Sequence, residues 1–207
     1  MSVALIILAV TVAVSLAGIY GSPAIIQRSL FRPYWFLRRR QYETIVTSGF
    51  VHADLSHLLF NAFTFFFFAF QVERQVGSAR FAALYLFGLV ASDVGTYFKH
   101  RNDPDYASLG ASGAISGVLA AYVLYFPRNR VLVWFWFRIL AVPALVVIGL
   151  WAVLQLVSGA GTLIAAGSGG GVAYLAHVGG FVGGLALAWV LMPREVRVAR
   201  RGADPYN

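Results

Sequence analysis

The chain has 207 residues, of which 59% are hydrophobic and 12% are charged; its formal net charge is +8 and it has no cysteine. A soluble domain has roughly 25% charged residues, so this chain has too few charges to cover a water-soluble globule, and most of its surface must face lipid. The lack of cysteine excludes disulfides, thiolate metal sites and a cysteine nucleophile. The positive charge does not indicate nucleic-acid binding, because the arginines flank apolar runs, where anionic lipid headgroups attract them.

Six apolar runs predict six membrane-spanning helices in a single domain, residues 1–192, because a helix needs about 20 apolar residues to cross a bilayer. The first run lacks a basic leading region and is longer than a usual signal core, so we interpret it as a retained span. In chain order the approximate spans are residues 1–20, 50–71, 81–98, 108–126, 131–156 and 172–192.

The segments outside the predicted spans have distinct compositions. Residues 21–48 interleave aromatic residues with arginines, which suits a segment lying in the headgroup region. Residues 158–171 form a connection rich in glycine and serine, and residues 193–207 form a basic tail that is predicted to be disordered. Basic residues on the two sides of the membrane are nearly equal in number, and the basic tail favours a cytoplasmic location for both termini.

Polar side chains inside three of the predicted spans indicate a site. His57 and Asn61 lie on the second span, Ser112 and Ser116 on the fourth, and His177 on the sixth. Polar residues are costly in lipid and usually face the interior of the bundle. Even-numbered spans run in the same direction, and each of these residues lies within about two turns of the start of its span, so we expect them at one depth. Their convergence near one membrane face would suit nucleophilic catalysis.

Glycines four residues apart predict that the fourth and sixth spans pack closely. Gly113 and Gly117 have this spacing on the fourth span, and the sixth span has two such pairs, which include Gly180 and Gly184. Small residues at this spacing let two helix backbones approach. Close approach would let a short serine side chain reach a histidine ring, although the same pattern is common where helices only pack.

Structural explanations exist for each polar residue taken alone. Ser112 could pack with its hydroxyl bonded to the preceding turn, and His177 could be an interhelical hydrogen-bond partner. The matching depth of Ser112 and His177 argues against both explanations.

We interpret Glu73 as structural and His52 as a loop or interface residue. The scattered histidines have no carboxylates at ligand spacing, so we expect no metal and no cofactor.

Together these motifs resemble the rhomboid family. The family's Gly-x-Ser-Gly motif matches residues 110–113, and its histidine followed by glycines matches residues 176–180. Its His-x-x-x-Asn motif matches residues 57–61, and its Glu-x-x-x-Gly motif matches residues 73–77. The four motifs have the family's order and lie within about residues 49–191, which makes the resemblance specific.

The resemblance implies an all-α, six-helix membrane fold with an intramembrane serine protease site open to the extracytoplasmic side. It implies a dyad of Ser112 as nucleophile and His177 as general base and acid. The oxyanion would be held by the Ser112 backbone N–H, His57 and Asn61. The family's structural positions are Gly110, Gly113, Gly180, Gly184 and Glu73.

The chain departs from the family's pattern at two places. The Trp-Arg pair of the first loop is replaced by residues 41–45, Gln-Tyr-Glu-Thr-Ile. The aromatic residue that packs on the catalytic histidine, four positions after the nucleophile, is replaced by Ser116. Either another residue holds the His177 ring or the ring is looser.

The implied partners are single-pass transmembrane substrates, which must unwind near their extracytoplasmic end to expose a carbonyl, and the bilayer with its anionic lipids. We expect substrates to reach the site past the fifth span, where Trp134 to Phe137 are bulky, and we expect the protein to lie in a bacterial or archaeal plasma membrane.

One alternative is a non-catalytic rhomboid-like protein that binds membrane clients; the presence of both Ser112 and His177 argues against it. Another is a small channel or transporter, which would be expected to have an ionisable residue at mid-span or an inverted repeat.

Overall fold

The computed structural model describes residues 1–164, 173–193 and 196–197, and these residues are mostly helical. The N-terminal part comprises α1 (Val3–Leu16), a π-helical turn (Ala17–Gly21), α2 (Pro23–Ser29), α3 (Pro33–Arg38), α4 (Thr44–Thr47) and a 3-10 turn (Ser48–Phe50). It is followed by α5 (Leu55–Val76), α6 (Ser78–His100), α7 (Ser112–Tyr125), β1 (Arg130–Phe135), β2 (Arg138–Pro143), α8 (Ala144–Ile164) and α9 (Tyr174–Val190).

The long helices differ in length. Among the described residues, four helical segments are long and apolar enough to cross a membrane: Val3–Gly21, Leu55–Val76, Ser78–His100 and Ala144–Gly161. The predicted fourth and sixth spans correspond to the shorter apolar helices α7, with 14 residues, and α9, with 17 residues. At 1.5 Å per residue α7 is about 21 Å long, whereas the hydrocarbon core is about 30 Å thick.

Helix α7 is the centre of the fold. Twelve of its 14 residues are buried, and it packs against α5, α6 and α9. Its apolar residues surround the helix, which is the pattern of a helix enclosed by others. Large apolar side chains are exposed on the outer faces of the surrounding helices, where they match lipid rather than water; examples are Leu59, Phe60, Phe63, Val153 and Val190.

Helices α7 and α9 are in direct backbone contact at four glycines, with no side chains between them. A Cβ on Gly180 would overlap the carbonyl oxygen of Gly113, and a Cβ on Gly184 would lie 2.7 Å from the carbonyl oxygen of Gly117. The two contacts follow the same order along both helices, so α7 and α9 run parallel. The first residues of the two helices therefore lie at the same end of the bundle, as the sequence predicts. We refer to these four glycines as the glycine seam.

The carboxylate of Glu73 ties three helices together at the opposite end of the bundle. It accepts hydrogen bonds from the backbone N–H groups of Val3 and Ala4, at 2.7 and 3.1 Å, at the start of α1. The hydroxyls of Ser2 and Ser78 donate to it at 2.5 and 2.6 Å. A negative charge at a helix N-terminus is favourable because it compensates unpaired N–H groups. Glu73, near the end of α5, therefore holds the starts of α1 and α6.

The structure differs from the prediction in the fifth span, residues 131–156. Residues 130–143 form an antiparallel hairpin of β1 and β2, with Val131 opposite Val142, and α8 starts only at Ala144. A short run of β-branched and aromatic residues is as apolar as a helix, so hydropathy does not distinguish a strand from a helix there.

Other predicted boundaries also shift. The predicted connection at residues 158–171 starts too early, because α8 continues to Ile164, and glycines are well tolerated in membrane helices. Helix α7 starts four residues later than predicted, since Gly110 has a φ of +113° and Ser108 pairs with Phe31 in an isolated bridge. Residues 165–172 lie outside the described residues, and so does most of the predicted tail.

Candidate active site

A cavity of about 1050 Å³ lies among α5, α7, α8, α9 and the loop before α7. Ser112, His177, His57 and Asn61 all line it. Ser112 is the first residue of α7, His57 the third of α5, and His177 the fourth of α9. The structure therefore brings together, near the N-terminal ends of three helices, four of the five polar residues that the sequence singles out, and the fifth, Ser116, lies close by.

The backbone before Ser112 forms a turn that requires glycine. Gly110 has a φ of +113°, a left-handed conformation that side chains disfavour, and its N–H donates to the Ser48 carbonyl at 2.9 Å. The N-cap residue of α7 is Ala111, whose side chain offers no hydrogen-bond acceptor. The first N–H groups of a helix have no partner within that helix, so the Ser112 N–H lies at the positive end of α7 and is suited to bind an anion.

His57 packs directly on this turn. A Cβ on Gly110 would lie 2.8 Å from Cε1 of His57 and 3.0 Å from its Nε2, so the ring fills the space that a side chain would need. Asp54 N-caps α5 by accepting the His57 backbone N–H at 2.8 Å. The cap fixes the start of α5 and thereby the place of the ring.

Asn61 lies one turn further along α5 and is only 4% exposed. Its amide nitrogen donates to the His57 carbonyl at 3.0 Å. An amide nitrogen has two hydrogens and this bond uses one of them, so Asn61 retains a donor that can turn towards a ligand in the cavity.

Ser116 also lines the cavity, but its hydroxyl is occupied. It donates to the Ser112 carbonyl at 2.7 Å, which is the usual bond of a serine one turn along a helix. This contact makes Ser116 a poor nucleophile.

The His177 ring is held from α8. Its Nδ1 lies 2.8 Å from Oε1 of Gln155, and the Trp151 ring lies beside it with the centroids 5.9 Å apart and the planes inclined by 35°. These two residues take the place of the missing aromatic at position 116. The sequence analysis singles out neither residue, although a glutamine inside an apolar span meets the same criterion as the other polar residues.

His52 is a third residue beside the site that the sequence does not single out. The Ser15 hydroxyl donates to the Phe50 carbonyl at 3.1 Å and lies 2.9 Å from Nδ1 of His52. Because the hydroxyl has only one hydrogen, Nδ1 must donate, which leaves Nε2 to accept the Ala111 N–H at 3.5 Å. Burial lowers the pKa of His52 to about 4, so the ring is neutral. It also meets the His57 ring edge-on, with centroids 4.8 Å apart.

The described residues contain no group of three or more His, Cys, Asp or Glu side chains that could hold a metal ion. The polar side chains around the cavity include hydrogen-bond donors and acceptors. Four polar side chains line the cavity from the end of α6 and from the loop between α6 and α7: Lys99, His100, Asp103 and Asp105. They give this part of the wall a polar lining.

Comparison with known proteins identifies the family. The model of the Rhomboid domain matches residues 39–194. The chain belongs to the rhomboid family. Together with its apolar helices, this membership makes it an integral membrane protein.

Three relatives illustrate the range of rhomboid similarity. Putative rhomboid protease YdcA of Bacillus subtilis is 39% identical over 79 residues, 38% of this chain and 39% of that protein. Rhomboid-like protein 11, chloroplastic, of Arabidopsis thaliana is 30% identical over 183 residues, 84% of this chain and 61% of that protein. Rhomboid protease GluP of Bacillus subtilis is 33% identical over 86 residues, 42% of this chain and 16% of that protein. The chain thus spans less than two thirds of the length of each of these relatives.

Proposed function

We propose that the chain is an intramembrane serine endopeptidase of the rhomboid type. One observation carries this proposal: Ser112 and His177 line the same cavity, at the same end of two parallel helices that touch through the glycine seam. The protease names of two Bacillus subtilis relatives add support.

The reaction uses Ser112 and His177 as a dyad. Nδ1 of His177 is engaged by Gln155, so Nε2 takes the proton from the Ser112 hydroxyl. The Ser112 oxygen then bonds to the scissile carbonyl carbon, and His177 gives the proton to the nitrogen of the leaving amine as the C–N bond breaks. A water molecule then attacks the ester and gives its proton to His177. Ser112 leaves as the ester bond breaks and recovers that proton.

The negative oxygen formed in each step lies near three donors. The Ser112 N–H at the positive end of α7 is one, and the His57 ring and the Asn61 amide are the others. Donors held in place before the reaction lower the barrier because they need no reorganisation.

The short α7 supports a site within the membrane. If the Tyr125 end of α7 lies at one surface of the hydrocarbon core, Ser112 lies about 9 Å below the other, since the helix is about 21 Å long and the core about 30 Å thick. Water reaches it through the cavity along its polar lining. With both termini in the cytoplasm, that side is extracytoplasmic, and the natural location is a bacterial or archaeal plasma membrane.

The substrates are single-pass transmembrane segments that unwind near the cavity, because a closed helix exposes no carbonyl. The proposed route is past the fifth span, as expected from the sequence, but the bulky residues named for it do not lie beside the cavity. Trp134 to Phe137 belong to the hairpin, which follows the Tyr125 end of α7 and not the Ser112 end. The cavity is lined from α8 by Val147, Ile148 and Trp151. We therefore assign substrate access to the side of α8.

A fluorophosphonate probe on the purified protein tests the proposal, since it reacts with activated serines. We expect an adduct on Ser112 that is lost in Ser112→Ala and His177→Ala and kept in Ser116→Ala, while all variants fold. Labelling of Ser116, or labelling that survives Ser112→Ala, would show that the nucleophile assignment is wrong. A folded protein that stays unlabelled but binds transmembrane peptides would favour a non-catalytic client-binding protein.

A further inference from the structure

Two side chains of α8, four residues apart, hold the His177 ring. Gln155 meets Nδ1 at 2.8 Å, and Trp151 lies beside the ring. The carboxylates that line the cavity, Asp103 and Asp105, lie in the loop before α7 rather than on α8. The residue that engages Nδ1 is thus a neutral amide from a helix outside the α7–α9 pair.

We propose that Gln155 is a positioning residue that completes the dyad by holding His177 in the tautomer with hydrogen on Nδ1. The proposal rests on the proposed protease function. Because Oε1 of Gln155 is an acceptor, Nδ1 must donate to it, and the lone pair is then on Nε2, which has to take the proton of Ser112. Trp151 restricts rotation of the ring about its χ angles.

This arrangement makes the orientation of His177 depend on the place of α8. The outer face of α8 is exposed, with Val153, Leu154 and Val157 each more than half accessible. The opposite face of α8, which carries Trp151 and Gln155, contacts the site. A displacement of α8 would release Nδ1, and the ring would then populate both tautomers.

Gln155→Leu removes the acceptor and nearly keeps the volume, whereas Gln155→Glu keeps an acceptor. We expect Gln155→Leu to lower kcat at least about tenfold with little change in KM, because only the fraction of rings with the correct tautomer and orientation reacts. Gln155→Glu should retain most of the activity. Leu156→Ala, on the exposed face of the same helix, is the matched control and should behave as the unchanged protein.

Nitrogen-15 NMR of the imidazole separates positioning from simple packing. We expect the unchanged protein to show a protonated Nδ1 and an unprotonated Nε2 on His177, and Gln155→Leu to show a mixture. An unchanged tautomer together with an unchanged kcat in Gln155→Leu would overturn this inference while leaving the protease proposal intact. A lack of fluorophosphonate labelling in the unchanged protein would instead remove the protease proposal.

The hairpin gives a second, independent inference. Its outer face and its turn consist of large apolar side chains that are 70–91% exposed: Leu132, Trp134, Trp136, Phe137 and Ile139. The register places Trp134 opposite Ile139, so their side chains share one face. Pro143 is followed directly by α8, a helix of spanning length, which fixes the hairpin at a membrane surface.

We infer that the hairpin is an interfacial anchor that inserts this face into the bilayer surface opposite the cavity. Tryptophan is enriched at the level of the headgroups. Three exposed arginines complement anionic headgroups: Arg130 shares the face of Leu132 and Trp134, Arg138 lies on the other face of the hairpin, and Arg128 precedes it. The expected occupant is therefore an anionic bilayer surface rather than a protein.

Tryptophan fluorescence in nanodiscs containing phosphatidylglycerol tests the anchor. The hairpin signal is the emission lost in the double variant Trp134→Phe, Trp136→Phe, and lipids brominated near the headgroup should quench it. Trp189, which is exposed on α9, serves through Trp189→Phe as the control for a side chain on a predicted span. Arg130→Gln with Arg138→Gln should weaken the quenching when anionic lipid is diluted. A red-shifted, unquenched hairpin signal would overturn the inference, because the two tryptophans would then face water. A signal that depends on protein concentration would also overturn it, because the face would then bind another copy of the chain.

Discussion

His52 links the first helix to the turn before Ser112 through its two ring nitrogens. Nδ1 donates to Ser15 on α1, and Nε2 accepts from the Ala111 N–H, next to Ser112. Only a neutral ring with this tautomer can do both, because a protonated ring has no acceptor. His52 therefore acts as a structural support for the turn.

The pH dependence of stability reports this role. Burial lowers the pKa of His52 from 6.5 to about 4, so between these values the unfolded state binds more protons and the stability falls as the pH falls. His52→Gln lacks this dependence. We expect the stability advantage of the unchanged protein over His52→Gln to be constant above about pH 6.5 and to shrink, by up to ~1.4 kcal/mol per pH unit, towards pH 4. Unfolding in mixed micelles measures it, and a constant difference would contradict the assignment.

The proposed oxyanion donors His57 and Asn61 predict a graded loss of activity. His57→Ala and Asn61→Ala should each lower kcat without abolishing cleavage, since removal of one oxyanion donor costs on the order of 10²–10³ and the Ser112 N–H remains. Rates are measured on a transmembrane substrate in liposomes, with thermal midpoints to show that the variants fold. Unchanged rates in both variants would mean that α5 contributes packing alone.

At the scale of elements, the seam between α7 and α9 sets how close Ser112 and His177, the proposed nucleophile and base, can lie. No described heavy atom lies within 4 Å of a Cβ built on Gly149 of α8, whereas the same Cβ on Gly180 overlaps the Gly113 carbonyl. These two glycines form a matched pair, since both are helical and differ only in their surroundings.

Gly180→Ala should separate the two helices, lower the thermal midpoint and strongly reduce fluorophosphonate labelling, because backbone atoms rather than a flexible side chain meet the new methyl group. Gly149→Ala should change neither property. Labelling and midpoints are measured in the same micelles. Equal behaviour of the two variants would show that the seam tolerates side chains and does not set the geometry of the site.

The sequence predicts the grouping of the candidate site residues better than it predicts the elements around them. Ser112, His57 and His177 could be placed at one depth because helical rise converts position along a span into depth. Gln155 and His52 were missed, since their roles depend on which helices become neighbours. The hairpin is not predicted because its strands have apolar side chains on both faces. Such strands form an unbroken apolar run, which has the same hydropathy as a spanning helix.

At the scale of the whole molecule, Glu73 couples α5 to the starts of α1 and α6, far from the cavity. Its four hydrogen bonds lie at the opposite end of the bundle from Ser112. The carboxylate thus contributes to the assembly of the bundle and not to the chemistry.

Glu73→Gln keeps the shape but replaces one acceptor oxygen by a donor, which then faces donors at the start of α1. We expect a loss of about 1–3 kcal/mol of stability, the usual cost of leaving buried hydrogen-bonding groups unpaired. The folded fraction should keep its kcat. Unfolding curves combined with active-site titration measure both quantities, and a loss of kcat at unchanged stability would show that Glu73 acts on the site itself.

The two walls of the cavity differ in how far mutation can reshape them. The wall from α8 consists of side chains and can be changed, whereas the wall at the glycine seam consists of backbone and cannot. Where backbone touches backbone, a larger side chain can only push α7 and α9 apart, so mutation there can only disturb the separation of Ser112 and His177, the proposed reacting pair. Val147, Ile148 and Trp151 face the same cavity from α8 as ordinary side chains. A library that aims to change which segments are cut should therefore randomise α8 and keep Gly113, Gly117, Gly180 and Gly184 fixed.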